Sequence, residues 1–308
     1  NNNNNNNITN NIIDSNDETK YVDLIFYYAT WVIKEDPNEG LRIFTGKAFN
    51  QKFGEYHLPK IPPIKILDYL DTQKTENFTR IAYLEFLIFE TNEEKSIFHD
   101  ELIKYYLAEI FAAIVKENEE IEETRKNYGI ARGDIVELTQ DFIIGKHGKA
   151  PAGTSCIVSS VVPSTQQTRQ IQVHVTFPQT GTFTVVPKNI LKKTTKQRRI
   201  KPEKQEGRVG ILRRKLISFL KQSTFYNPNA MLKLFPKEQL LEEKAWLMKR
   251  IPQHEEALKI IVYKLEDPQM AEDYCEIIYN EYIQHYNKII NDIDANYFNN
   301  NNKSINDD

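Results

Sequence analysis

The sequence predicts a mostly α protein, an α-solenoid of helical hairpins interrupted by a small all-β, barrel-like insertion. Three observations carry that expectation. Apolar residues recur at helical spacing over 20–126 and again over 209–293. Between them, over 127–200, the period falls from 3.6 to 2. Finally, EGLRIF (39–44) reads against EALKII (256–261) class by class, and each copy follows a tryptophan-bearing apolar helix (Trp31, Trp246) and a short turn with proline (Pro37, Pro252). Repeated helix–turn–helix units bury their apolar faces on their neighbours, which is the logic of a solenoid. The small residue of each copy, Gly40 or Ala257, stands where two helices have to approach closely.

The elements follow in order. Residues 1–19 and 294–308 are asparagine-rich and are expected to be disordered tails, because they bury too little to offset roughly 1–2 kcal/mol of ordering entropy per residue. YVDLIFYYATWVIK (21–34) is apolar nearly all round, so its aromatics Phe26, Tyr27, Tyr28 and Trp31 are expected to pack between helical layers with Phe86 and Phe89. Pro37 breaks that helix, and EGLRIFTG continues as a second, short one. A third short helix follows Pro62 and Pro63, over 64–70. FTRIAYLEFLIFE (78–90) and SIFHDELIKYYLAEIFAAIV (96–115) form a long pair across TNEE, where Thr91 and Glu94 fit a capping box for the second member. In the insertion, QIQVHVTF (170–177) alternates strictly and PQTG (178–181) has hairpin-turn chemistry. Four or five strands are expected, then a basic linker to about 208, then helix again.

The 308 residues carry 40 Lys and Arg against 43 Asp and Glu, a net charge of −3, so the whole chain is no electrostatic trap for nucleic acid or anionic membrane. Mean hydropathy is −0.57. Two cysteines, Cys156 and Cys275, can make neither a disulfide framework nor a four-cysteine zinc site. No run approaches ~18 apolar residues, and the polyasparagine start is unlike a secretory leader, so a cytoplasmic protein is expected.

YATWVIKEDPNEGLRIFT (28–45) and LLEEKAWLMKRIPQHEEALKIIVYKLEDPQMAEDYC (240–275) resemble the clathrin-heavy-chain-repeat region of the vacuolar sorting protein thirty-nine / transforming growth factor-beta receptor-associated protein family. The string HEEAL…V…L.D…AE.YC (254–275) is its most specific part, and the likeness extends over about 20–126 and 208–280. LRRKLISFLKQSTFYNPNAMLKLFP (212–236) is closer to the HOPS member of the family than to the CORVET member. The resemblance implies a non-enzymatic scaffold subunit in endosome-to-lysosome or vacuole vesicle tethering and protein transport, HOPS-like rather than CORVET-like. Its partners would be other tethering-complex subunits, with any Rab GTPase reached indirectly, and its place peripheral on endosomal or lysosomal membranes. The family's β-propeller, RING-type zinc module and turn glycine (here Pro252) have no counterpart in these residues, so the chain is expected to represent part of that architecture.

The residues themselves supply little chemistry for catalysis, and no cofactor, metal or catalytic residue is expected. None of the six histidines forms an H-x-x-x-H or H-x-x-E-H pair. His254 reads as a helix start between repeats, Cys156 as a buried strand thiol, and GKHGKAPAGTS (145–155) fails the phosphate-loop order. Two surfaces stand out. Twelve Lys or Arg against two Glu between Lys188 and Lys215 make a local +10, with Lys192, Lys193, Lys196, Arg198, Arg199 and Lys201 as a candidate patch for an anionic partner. Cys275, Ile278, Tyr279, Tyr282 and Tyr286 form an i, i+3/i+4 stripe that a partner would cover. RGDIVELT (132–139) and GTFTVVPKNIL (181–191) resemble the two ends of a Src-homology-three-like barrel, without the aromatics of a polyproline groove. The alternative function is therefore a nucleic-acid-binding module built on the insertion and the 188–215 run.

Overall fold

A computed structural model describes residues 15–45, 61–73, 76–144, 148–163, 170–194 and 201–303. They form two compact units, one of residues up to Leu107 together with Lys215 onward, the other of Ala108–Arg214.

The first unit is helical: α1 (Ser15–Glu35), α2 (Pro37–Thr45), α3 (Pro63–Thr72), α4 (Asn77–Glu85), the first turns of α5 (Ser96–Tyr128), the end of α6 (Gly207–Gln222), α7 (Pro228–Leu232), α8 (Leu241–Lys249), α9 (His254–Lys259) and α10 (Pro268–Lys303). Both α4 and α9 run on into a π-helical turn, Phe86–Glu90 and Ile260–Lys264. Helix α1 packs on α2, and α8 on α9. The first turn is built by Asp36, whose Oδ1 accepts the amides of Asn38 and Glu39 at 2.9 and 3.1 Å, while Pro37 opens α2 without needing a partner for an amide it lacks. Gly40 then lies against α1 so closely that a Cβ would sit 2.8 Å from Ile33 Cα and 2.9 Å from Ile33 N. Ala257 is completely buried at the corresponding place in α9. Gly40 therefore stands at a tight helix approach, and Ala257 at a buried one.

The interior of this unit is Leu70, Leu84, Leu102, Ile103, Tyr106, Phe219 and Leu220. His99 is buried there with both ring nitrogens engaged, Nδ1 with Ser223 Oγ at 2.7 Å and Nε2 with the Glu93 carbonyl at 2.8 Å, while its ring stacks on Phe219. Trp246 packs against Tyr274 and lies under Lys221 Nζ at 4.1 Å.

The second unit holds an antiparallel sheet of order β6-β5-β4-β1-β7: β1 (Ile135–Leu138), β4 (Ser155–Val162), β5 (Gln172–Phe177), β6 (Thr182–Pro187) and β7 (Leu191–Lys193). A two-stranded hairpin, β2 (Phe142–Ile143) with β3 (Lys149–Ala150), lies between β1 and β4 in sequence. Alternation fixes the inner face: Val173, Val175 and Phe177 of β5 join Val136, Cys156, Val158 and Val186 in one apolar cluster. The PQTG segment turns β5 into β6, with Gly181 at φ +68° and its amide on the Phe177 carbonyl at 2.8 Å. A 3-10 turn, Lys188–Ile190, leads into β7. Asp134 fastens the start of the sheet: its carboxylate takes the Ala131 amide, Arg125 of α5 at 2.9 Å and Lys193 of β7 at 3.0 Å.

Several expectations are corrected. The barrel does not close among the described residues, because the pairing leaves β6 and β7 as edges. Helix α1 begins at Ser15, inside the expected tail, and residues 1–14 lie outside the described ones. Helix α10 continues ten residues past Ile293 to Lys303, also inside an expected tail, since asparagine only weakly disfavours helix interiors; 304–308 lie outside the described residues. Thr91 does not cap α5. Its hydroxyl donates to the Leu87 carbonyl at 2.6 Å and closes the preceding π turn. Nor is α1 packed on every side: Trp31 is 68% exposed, and Tyr27 and Tyr28 are exposed too, whereas Trp246 is 3% exposed.

Candidate interaction surfaces

Cationic residues at 188–215 point to an anionic partner only if they are free, and most described ones are occupied. Lys193 pairs with Asp134, Arg208 with Glu109, and Lys215 with Glu85 at 2.8 and 3.0 Å. Arg213 donates to Gln205 Oε1, and Arg214 to the carbonyls of Pro202 and Gln205, both at 2.8 Å. Lys201 also has a partner, while Lys192 is exposed on β7. Lys196, Arg198 and Arg199 lie outside the described residues. Among the described residues, most cations of the run thus pair with groups of the protein itself. Burial alone would raise the Asp134 pKa, but the hydrogen bonds from Arg125 and Lys193 and the Ala131 amide hold it below the usual carboxylate range.

The aromatic stripe on α10 is open and longer than the sequence reading has it. Cys275, Tyr279, Tyr282 and Tyr286 are exposed, and Ile278 is half-buried. Ile283, Ile289, Ile290 and Ile293, which the sequence reading left out of the stripe, extend it. Their i, i+3/i+4 spacing was available as a signal within the expected helix, 209–293. Tyr274 takes no part: it is buried on Trp246, its hydroxyl meets His254 Nδ1 at 3.0 Å, and burial pushes its pKa up to about 12. Helix α1 presents a second open face, Tyr21, Leu24, Tyr27, Tyr28 and Trp31. A groove of about 360 Å³ between α2 and α4 is lined by Leu41, Arg42, Ala82, Glu85, Phe86 and Phe89 among others, but Glu85 already takes Lys215 and the buried Tyr106 hydroxyl.

Among the described residues, Cys156, His254 and His174 are held in the framework of the fold. Cys156 is fully buried in β4, and burial pushes its thiol up to about 11, which suppresses the thiolate. His254 opens α9 as expected, and His174 sits on β5 edge-on to Phe183. Among the described residues, no three His, Cys, Asp or Glu are grouped to hold a metal ion, and no helix is long and apolar enough to cross a membrane.

Fold and surface together define a class: a mostly helical protein with an antiparallel β insertion, whose most prominent exposed chemistry is extended apolar faces. Similarity to known proteins gives that class a particular setting. The chain is 28% identical to the Vam6/Vps39-like protein of Homo sapiens over 264 residues, 85% of this chain and 20% of that protein. It is 43% identical to the vacuolar sorting protein 39 of Arabidopsis thaliana over 67 residues, 22% of this chain and 7% of that one. It is 36% identical over 76 residues to the transforming growth factor-beta receptor-associated protein 1 homolog of Danio rerio, 24% of this chain and 9% of that protein. The chain spans about a fifth of the length of the curated relatives it matches along most of its own. No family model matches, and no solved structure does. Over 83–85% of its length the chain is thus similar to vacuolar protein sorting proteins of the Vps39 type, in line with the resemblance read from the sequence.

Proposed function

We propose that this chain is part of a non-enzymatic scaffold subunit in endosome-to-lysosome or vacuole vesicle tethering, HOPS-like rather than CORVET-like, working peripherally at endolysosomal membranes. The observation that carries the reading is the pair of hairpins α1–α2 and α8–α9. Each bears the same six-residue pattern with its small residue buried, Gly40 hard against Ile33, and each lies in a segment that resembles the Vps39 type. Stacked hairpins of this sort form an α-solenoid, whose long faces suit assembly with many weak contacts rather than chemistry. The internal pairing of Lys193, Arg208, Arg213, Arg214 and Lys215 speaks against the nucleic-acid alternative.

Affinity purification of the tagged chain from its own cells, read by mass spectrometry, tests the proposal. Tether subunits should be recovered, those particular to HOPS above those particular to CORVET. Recovery of ribonucleoproteins instead, with RNA binding that falls steeply with salt, would replace it with the nucleic-acid reading.

A further inference from the structure

The two edges of the sheet differ in how they are guarded. Strand β7 has three residues and carries Lys192 and Lys193, a short, charged edge of the kind that discourages further pairing. Strand β6 has six, and residues 178–187 include no charged side chain. Among the described residues β6 pairs with β5 alone. The Lys188 amide bonds the Ile171 carbonyl at 3.0 Å, which puts the hydrogen-bonded pairs of this ladder at 171/188, 173/186, 175/184 and 177/182. The main-chain groups of Phe183, Val185 and Pro187, which lie between those pairs, therefore point away from β5. Side-chain burial runs in the same phase: Phe183 and Val185 are exposed, and Val186 is buried. Main-chain donors and acceptors at every second residue are met by an extended strand, not by a helix.

The supply of donors says which strand. Pro187 has no amide, and the Gly181 amide is taken by the Phe177 carbonyl, so the edge offers two amides, those of Phe183 and Val185, with their two carbonyls. We propose that β6 is an interface with a second copy of this chain, the two β6 strands running antiparallel about a two-fold axis at Thr184. In that register Phe183 of each copy exchanges both hydrogen bonds with Val185 of the other, and all four groups of each edge are satisfied. Slipping the register by two residues either way leaves carbonyls facing Pro187 or the occupied Gly181 amide. Phe183 then lies across from Val185 on the outer face, an aromatic–β-branched pair made twice. With no charge in 178–187 the copies do not repel, nor does the edge carry a charge that would single out a foreign strand. Four main-chain bonds and two side-chain pairs fall well short of a standard interface of ~1,600 Å², so the dimer should dissociate on the order of 100 μM.

Sedimentation velocity of the full chain from about 5 to 500 μM should show monomer passing into dimer. Val185→Lys sets like charges on either side of the axis, and Val185→Pro removes an amide that points away from β5. Neither breaks the ladder with β5, and each should raise the dissociation constant at least about tenfold with the circular dichroism melt unmoved. A third variant reads the register. Thr184→Cys in a Cys275→Ser background should give a disulfide-linked dimer under mild oxidation, because the axis makes residue 184 of the two copies a non-bonded pair with Cα atoms about 4.5 Å apart. Gln179→Cys, exposed in the turn before β6, should link far more slowly. A chain that stays monomeric over that range, a dimer indifferent to both Val185 substitutions, or linking as fast from Gln179→Cys as from Thr184→Cys overturns the proposal. So does protection of the Phe183 and Val185 amides from exchange in the monomer, which would give the edge to another part of this chain.

Discussion

Replacing Gly40 with alanine tests the hairpin packing most directly, because ordinary helix propensity and this structure predict opposite signs. In an exposed helix interior the change stabilises by about 0.5–1 kcal/mol. Here the new methyl carbon would lie 2.8 Å from Ile33 Cα and 2.9 Å from Ile33 N, against ordinary contacts of about 3.5–4.0 Å. The Ile33 side chain, also in the way, can rotate. Its backbone cannot, so α2 must draw back from α1 by the better part of an ångström and loosen Leu41, which is buried beside it. A clash with backbone atoms falls in the upper part of the roughly 1–3 kcal/mol that overpacking costs, about 2–3 kcal/mol here, leaving a net loss of about 1–2 kcal/mol once the propensity gain is subtracted. For a unit of some 200 residues that is a fall in Tm of roughly 2–8 °C, measurable by circular dichroism at 222 nm. A variant that melts at or above the parent would show that α1 and α2 do not approach as described.

The mirror change, Ala257→Gly, should also destabilise by about 1–2 kcal/mol, from lost helix propensity plus a buried methyl, again read as a lower Tm. Ile261→Asp places a carboxylate at a fully buried site and should cost more than 3 kcal/mol, seen as loss of the cooperative helical melt. Asp134 has a lowered folded pKa, so its contribution is present above the unfolded value near 4 and lost as pH falls through the folded one. The protection factors of the β1 amides, taken against the intrinsic exchange rate at each pH, should therefore fall on acidification below about pH 4, and Asp134→Asn should flatten that dependence. A thiol reagent at pH 8 should label exposed Cys275 at once and Cys156 only on unfolding, as read by mass spectrometry.

What the sequence revealed depended on how local each cause was. Strand β5 was legible from its alternation, the PQTG hairpin from its turn residues, and Gly40 from its place in a repeated pattern, since each signal is written in adjacent residues. The fate of the cations was not legible. Lys193 finds Asp134 and Lys215 finds Glu85 only through tertiary contact, so most of the described cations in a run that reads as a free patch have partners within the protein. The reach of α10 was hidden by composition, because asparagine lowers helix propensity without forbidding the helix. Trp31 misled for a third reason: an all-round apolar helix reads as buried, whereas the described neighbours of α1 leave one side of it bare.

The clamp at Asp134 has a bearing on how such a protein can vary. Strand β7 returns beside β1, and the Thr194 amide donates to the Ile135 carbonyl at 2.9 Å, so the polypeptide leaves the sheet where it entered. A detour of about sixty residues thus spans almost no distance, and the strands between can lengthen, shorten or change their outward chemistry without pulling on the residues at either end. Closing such a loop becomes only slowly more costly as it grows, so selection can remodel the excursion while the anchoring carboxylate and its two cations stay fixed.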